Sequence, residues 1–155
     1  MPSPQQIIGD IGEALVQEFH GKDFVLSENR YDSNKDGTFR GMTAEIKTMT
    51  RVIKDNEYWL ETDQYRKVTT VDLLFIVDIP LHAEQGAKIY LCPNNKRLQT
   101  EYRLKFGKSE QMVIIPADSL YELTVIKNDD RVIEMVKLSD NMSKFRRDLK
   151  SRSKR

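Results

Sequence analysis

The chain has 155 residues, enough for one domain with a real core and too few for two ordinary ones. Hydrophobic residues make up 39% and charged residues 32%, which sets disorder aside, while a formal net charge of +1 argues neither for nor against a nucleic-acid partner. One cysteine, Cys92, and two histidines exclude an internal disulfide and a Cys/His zinc cluster, and no run approaches the about 18 apolar residues of a membrane span. The first residues lack the basic and apolar regions of a leader, so the expectation is a cytoplasmic, intracellular protein with no membrane partner.

Ser3-Pro4-Gln5-Gln6 reads as a helix start, with Ser3 as N-cap, Pro4 at the first helical position and Gln6 as capping-box partner. The helix is expected to run to about Phe19, with Ile7, Ile8, Ile11, Leu15 and Phe19 as its apolar stripe and His20-Gly21 as its end. Asp10, Glu13 and Gln17 project elsewhere. A strand begins at Phe24, followed by a polar, turn-rich segment, SENRYDSNKDG. Thr38 to Met49 is strand-like with a bend at Gly41, Tyr58 to Leu60 is extended, and Thr62 can cap a short helix reaching about Val68. Val71 to Val77 is the most apolar run, short and rich in branched residues, as in a strand buried on both faces. Ile89 to Leu91 and Met112 to Ile115 read as strands, separated by a basic loop over residues 94–109. Pro116 to Leu120 resembles a helical turn, and Val125-Ile126 with Val132 to Val136 reads as a hairpin. The expected domain is residues 1–142, a mixed α/β core, followed by a basic tail, residues 143–155.

In MTAEIKTM, strand alternation puts Glu45 and Lys47 on one face and Ala44 and Ile46 on the other. Asp36 precedes Glu45 by nine positions, and a pair of short strands bending near Gly41 returns it beside Glu45. Two carboxylates and a lysine are then together. Hydrolysis of a phosphodiester needs a hard cation to neutralise phosphate charge and a water made nucleophilic near neutral pH. Two carboxylates plus substrate oxygens suit Mg²⁺, and Lys47 would orient or deprotonate the water and offset charge building on phosphorus.

Asp36, followed by Glu45-Ile46-Lys47, resembles motifs II and III of the PD-(D/E)XK, or restriction-endonuclease-like, nuclease superfamily. The opening helix with Glu13 is similar to the acid of motif I, and Gln64 and Lys67 precede the buried strand where many members place an auxiliary Gln or Lys. The resemblance covers roughly residues 3–79. It implies a restriction-endonuclease-like core of order α-β-β-β-α-β with extra C-terminal strands. It further implies a metal-dependent endonuclease using Mg²⁺ or Mn²⁺ on nucleic acid, DNA ahead of RNA. Asp36, Glu45, Lys47 and Glu13 would be catalytic, Asp36, Glu45, Ile46 and Glu13 would form the metal set, and Gln64, Lys67 and Arg51 would be auxiliary or nucleic-acid contacts. A homodimer is compatible, since one small site cuts one strand. Lys35 stands where the family often has proline, and Glu13 lies off the helix's apolar stripe. It reaches the site only if the helix is flanked on both sides, to which Gly9, Gly12 and Val16 lend support.

Plainer readings stand beside these. A Glu-x-Lys pair on an exposed strand is a minor surface ion pair, Glu13 a solvated helix residue, and Gln64 and Lys67 the polar face of a helix. Asp32 is an alternative to Asp36. His20 suits a helix C-terminus, His82 a loop, Asp72 and Asp78 the ends of a strand, Tyr58 and Trp59 core or edge positions, and Cys92 an inert thiol. Lys96, Arg97, Arg103, Lys105, Lys108 and the tail would supply phosphate contacts. The rival functions are an inactive nucleic-acid-binding accessory protein of the same fold, and a structure-selective resolvase or ribonuclease.

Overall fold

Ser3 starts the first helix by the expected chemistry. Its hydroxyl accepts from Gln6 N at 3.2 Å and Gln6 Oε1 accepts from Ser3 N at 2.8 Å, which satisfies two of the donors a helix start leaves free. In the computed structural model, which describes residues 1–28 and 35–153 and side chains as far as Ser143, this helix is α1, Pro4–His20. It is followed by β1 (Phe24–Leu26), β2 (Gly37–Phe39), β3 (Met42–Met49), β4 (Glu57–Glu61), α2 (Tyr65–Thr70) and β5 (Leu73–Asp78). The remainder is β6 (Ala87–Cys92), β7 (Gln99–Lys105), β8 (Lys108–Pro116), β9 (Tyr121–Ile126) and α3 (Asp130–Ser153).

The architecture is mixed α/β. A six-stranded sheet has the order β1-β2-β3-β5-β6-β9, in which β3 and β5 are parallel and every other pair antiparallel. Parallel neighbours need a long crossover, here residues 50–72 with β4 and α2. A second, antiparallel sheet has the order β4-β8-β7.

Strand alternation divides the interior into two cores. Ala44, Ile46, Phe75 and Val77 face α1 and α3 and pack with Ile8, Ile11, Leu15, Val16, Val132 and Met135. Leu74 and Ile76 face the other way, toward Val68 of α2 and Tyr58, Val113 and Ile115 of the second sheet. β5, buried along its middle on both sides, is the doubly covered strand its composition predicts.

Several expectations are corrected. The stripe of α1 buries Ile8, Ile11, Gly12, Leu15 and Val16, while Phe19 is exposed. Thr62 does not cap α2; it lies within a 3-10 turn, Thr62–Gln64, that has no side-chain cap. Residues 94–109 are not a loop, since they hold a 3-10 turn (Asn95–Arg97), all of β7 and the start of β8. Residues 132–136 are not a hairpin arm but the first turns of α3, where Val132, Met135 and Val136 recur at helical spacing against α1. The basic segment from residue 143 is the end of a helix, since α3 continues to Ser153. Among the described residues no helix is long and apolar enough to cross a membrane.

A candidate active site at an open strand edge

β2 and β3 meet through a two-residue turn, Arg40-Gly41, with φ of 49° and 83°, the primed geometry that matches strand twist. Their pairing ends at Gly37 opposite Ala44, so among the described residues β3 has no neighbouring strand on that side from Glu45 onward. The carboxylate of Asp36 takes the vacant place: Oδ2 accepts from Ile46 N at 2.7 Å, and Asp36 N donates to Ala44 O at 2.9 Å. In a strand the N–H and C=O of one residue point to the same side, so the Ile46 carbonyl also projects at this edge. Gly37 is needed for the approach, because a Cβ there would lie 2.6 Å from Val25 O and 2.8 Å from the Phe24 ring.

An open edge can be reached from both faces of a sheet, and this settles where Glu13 goes. α1 lies against β3 at Gly12, where an added Cβ would fall 1.7 Å from Thr48 Oγ1. That contact brings Glu13 to one wall of a cleft of about 690 Å³ lined also by Asp36, Glu45, Ile46, Lys47 and Lys67. Glu45 and Lys47 enter from the opposite face, beside Leu74 and Ile76. The awkward helical phase of Glu13 is therefore no obstacle. A smaller cleft of about 230 Å³ adjoins through Asp10, Glu13 and Asp36.

The Glu45 side chain is 0% exposed, and neither of its oxygens has a hydrogen-bond partner in good geometry. Two ammonium groups stand at ion-pair distance from Oε2 instead, Lys47 Nζ and Lys67 Nζ, each at 3.3 Å. Lys47 Nζ also donates to Gln64 Oε1 at 2.5 Å. Burial raises the pKa of Glu45 to about 7, with the negative charge of Asp36 adding to the rise and the two lysines opposing it. Glu13 is raised to about 7 by burial and then by Asp36. Two raised carboxyls flanking a third are the electrostatic pattern of a functional cleft.

The expected set thus divides. Glu13, Asp36, Glu45, Ile46 and Lys47 converge, and Gln64 and Lys67 join them through hydrogen bond and ion pair. Arg51 does not. It donates to Asn56 Oδ1 at 3.0 Å and lines another cleft, with Tyr58, Asp78 and Lys88. Asp32 lies outside the described residues. Asp10, which projects off the apolar stripe of α1 and was not expected at the site, lines both clefts beside Glu13, and its i, i+3 spacing from Glu13 was the available signal.

The other singled-out residues have structural roles. His20 is enclosed by Phe19, Phe24, Phe39 and Phe75, with ring centroids 4.6 to 5.9 Å away. His82 caps the short turn Ala83–Gln85. Asp72 accepts from Thr43 N at 2.9 Å, and Asp78 accepts from the Tyr58 hydroxyl. Cys92 is buried, which pushes its thiol up. Of the basic residues offered as phosphate contacts, Arg103 is engaged by Glu57 and Glu101, Lys96 by Asp72 and Lys105 by Glu61.

Among the described residues no three His, Cys, Asp or Glu side chains are gathered so as to hold a metal ion. The donors at the edge are all oxygens: the carboxylates of Asp36, Glu45 and Glu13, and the Ile46 carbonyl. No protein family, curated protein or solved structure matches the chain.

Proposed function

We propose that the chain is a metal-dependent nuclease of the restriction-endonuclease-like type, hydrolysing phosphodiester bonds at the open edge of β3, with DNA ahead of RNA as substrate. The observation that carries this reading is the convergence on one cleft of Glu13 from α1, Asp36 from the residue before β2, and Glu45 and Lys47 from β3. The order of the elements, helix, three strands, helix and buried strand, supports it, with β4 as an insertion.

The donor set fits a hard divalent cation. Buried Glu45 oxygens without hydrogen bonds, the Asp36 carboxylate and the Ile46 carbonyl are ligands of the type Mg²⁺ or Mn²⁺ takes, together with waters and substrate oxygens rather than a closed protein cage. Such a cation, when bound, neutralises phosphate charge and makes its water a nucleophile near neutral pH. Glu13, across the cleft, is placed to hold that ion directly or through water. Lys47, fixed between Glu45 and Gln64, orients the attacking water and offsets the negative charge growing at phosphorus. Lys67, on the other side of Glu45, opposes the rise in pKa that burial imposes on this carboxyl. The same two lysines are also what a metal-free accessory protein would need to neutralise Glu45, so the inactive reading has an observation in its favour.

The deciding experiment is cleavage of duplex, single-stranded, junction and flap DNA and of RNA with Mg²⁺, Mn²⁺ or EDTA. Wild type is expected to cut with either metal and to stop in EDTA. Lys47→Ala should lose about two to four orders of magnitude in rate, and Asp36→Ala should lose the Mg²⁺-dependent rise in melting temperature as well as cleavage. Metal-dependent cutting that persists in both variants overturns the site. Binding without cleavage in wild type establishes the accessory reading, and the substrate panel separates a general nuclease from a resolvase or ribonuclease.

A further inference from the structure

β7 is the outermost strand of the second sheet, and among the described residues no strand pairs with its outer edge. The strand is seven residues long and contains no proline. It is joined to β8 by the two-residue turn Phe106-Gly107, with φ of 53° and 79°, so Lys105 and Lys108 form the closing hydrogen-bonded pair. Hydrogen-bonded positions alternate from there. Lys105, Arg103 and Glu101 turn their backbone groups toward β8, and Leu104, Tyr102 and Thr100 turn theirs to the free edge. The Tyr102 carbonyl shows this direction: it accepts from the Arg103 guanidinium at 3.0 Å instead of from β8. The Tyr102 and Leu104 side chains are 67% and 71% exposed. They lie on the face that, further along the sheet, buries Tyr58 and Ile115, but here the hairpin projects past the core. An edge with exposed apolar side chains and outward-facing backbone groups is a template for another strand, once the Arg103 guanidinium releases the Tyr102 carbonyl.

We propose that this edge pairs with β7 of a second copy of the chain, antiparallel about a two-fold axis through Tyr102. The occupant follows from charge complementarity. With Tyr102 opposite Tyr102, Glu101 of each copy faces Arg103 of the other, and the four charges alternate in sign around the axis. Centring on Arg103 sets two guanidinium groups against each other, and centring on Leu104 sets Arg103 against Lys105. Only the Tyr102 register has no like-charge pair among these. It also makes Tyr102 a hydrogen-bonded pair and Thr100 opposite Leu104 another, using the outward-facing backbone groups. The symmetry is the isologous two-fold of most homodimers. Glu101 and Arg103 already pair within one chain at 2.6 Å, so their side chains are pre-arranged on the correct face. This inference is independent of the nuclease reading.

The test is sedimentation equilibrium of the full chain over a concentration series, with circular dichroism as the check on folding. Wild type should move from one chain mass to two as concentration rises. Tyr102→Lys, which places two ammonium groups on the axis at an exposed position, should stay at one chain mass with an unchanged spectrum. Glu101→Lys and Arg103→Glu should each be monomeric alone, because each repels itself in this register, and should associate when mixed. Wild type that remains monomeric throughout, a Tyr102→Lys variant that dimerises as wild type does, or a mixture that fails to associate would each overturn the proposal. If wild type is monomeric and Tyr102→Lys instead alters oligonucleotide binding, the hairpin belongs to a nucleic-acid surface.

Discussion

His20 shows how far a residue's surroundings can depart from its position in sequence. At the end of a helix it invites reading as a cation that favours the dipole, yet four phenylalanine rings enclose it and its Nε2 is buried without a hydrogen-bond partner. Burial lowers its pKa from the ordinary value of 6.5; Asp23 opposes that shift and Arg40 adds to it. A group whose folded pKa is depressed binds fewer protons folded than unfolded. Its neutral form is accommodated fully above 6.5, and stability is lost as pH falls through that value toward the lower folded pKa. Wild type should therefore lose stability relative to His20→Phe as pH is lowered from about 8 to about 5. Denaturant melts of both proteins across that range, read as the difference between them, isolate this term from the raised carboxyls of Glu13 and Glu45. A difference that does not change with pH would show that His20 does not titrate in this environment. Glu45 and Lys47 were legible because a period of two makes neighbours of i and i+2. The extent of Glu45's burial was not, because it depends on Lys67 from a helix about twenty residues away.

Elements were legible where chemistry and period agree. The capping box and Pro4 set the start of α1, the two-residue turn at Gly41 set the β2–β3 pair, and the branched apolar run became β5. β7 was missed because its alternation is inverted: the residues on its core-facing side, Tyr102 and Leu104, are exposed, and those on the other side are salt-bridged. The start of α3 was mistaken for a strand because Val132, Ile133 and Val136 are branched, although Val132, Met135 and Val136 keep helical spacing. Gly12 is the hinge between element and site. Alanine there gains about 0.5–1 kcal/mol in helix preference. Its Cβ, however, would sit 1.7 Å from Thr48 Oγ1 and 2.9 Å from Thr48 Cβ, and overpacking of this kind costs about 1–3 kcal/mol. Turning the Thr48 hydroxyl aside relieves only the shorter contact, because Thr48 Cβ is carried by the strand backbone paired to β5, so the remaining clash decides the sign. Gly12→Ala is expected to lower stability and, on the proposed nuclease reading, to reduce cleavage by displacing Glu13, and Gly12→Ala with Thr48→Ala to recover part of both. Equal or greater stability of Gly12→Ala in a urea melt would mean that α1 is not pressed against β3 there.

Across the whole molecule, charge is divided unevenly along the chain. Beyond Ser143 lie seven of the 25 basic residues and one of the 24 acidic ones, which leaves 18 against 23 before it, a formal net of −5. A body of that sign, with four acidic residues at its cleft, repels a polyanion at long range, and many of its own surface cations are held by acids. If nucleic acid is the substrate, the attraction must come chiefly from the C-terminal end of α3, whose helix runs on to Ser153. Each phosphate neutralised adds about 0.9 to the slope of log K against log salt on duplex DNA. Ending the chain at Ser143 keeps every described residue of α3 that packs against the core, the last of these being Met142. The shortened protein is therefore expected to melt like the full chain, to bind duplex DNA more weakly at low salt, and to show a shallower salt dependence by several contacts' worth. Its cleavage rate at saturating DNA should be unchanged, because Glu13, Asp36, Glu45 and Lys47 all remain. Binding isotherms at several salt concentrations, beside single-turnover cleavage, separate the two quantities. An unaltered salt slope would place the phosphate contacts on the body of the protein, and a lost saturating rate would make the helix end part of the site itself.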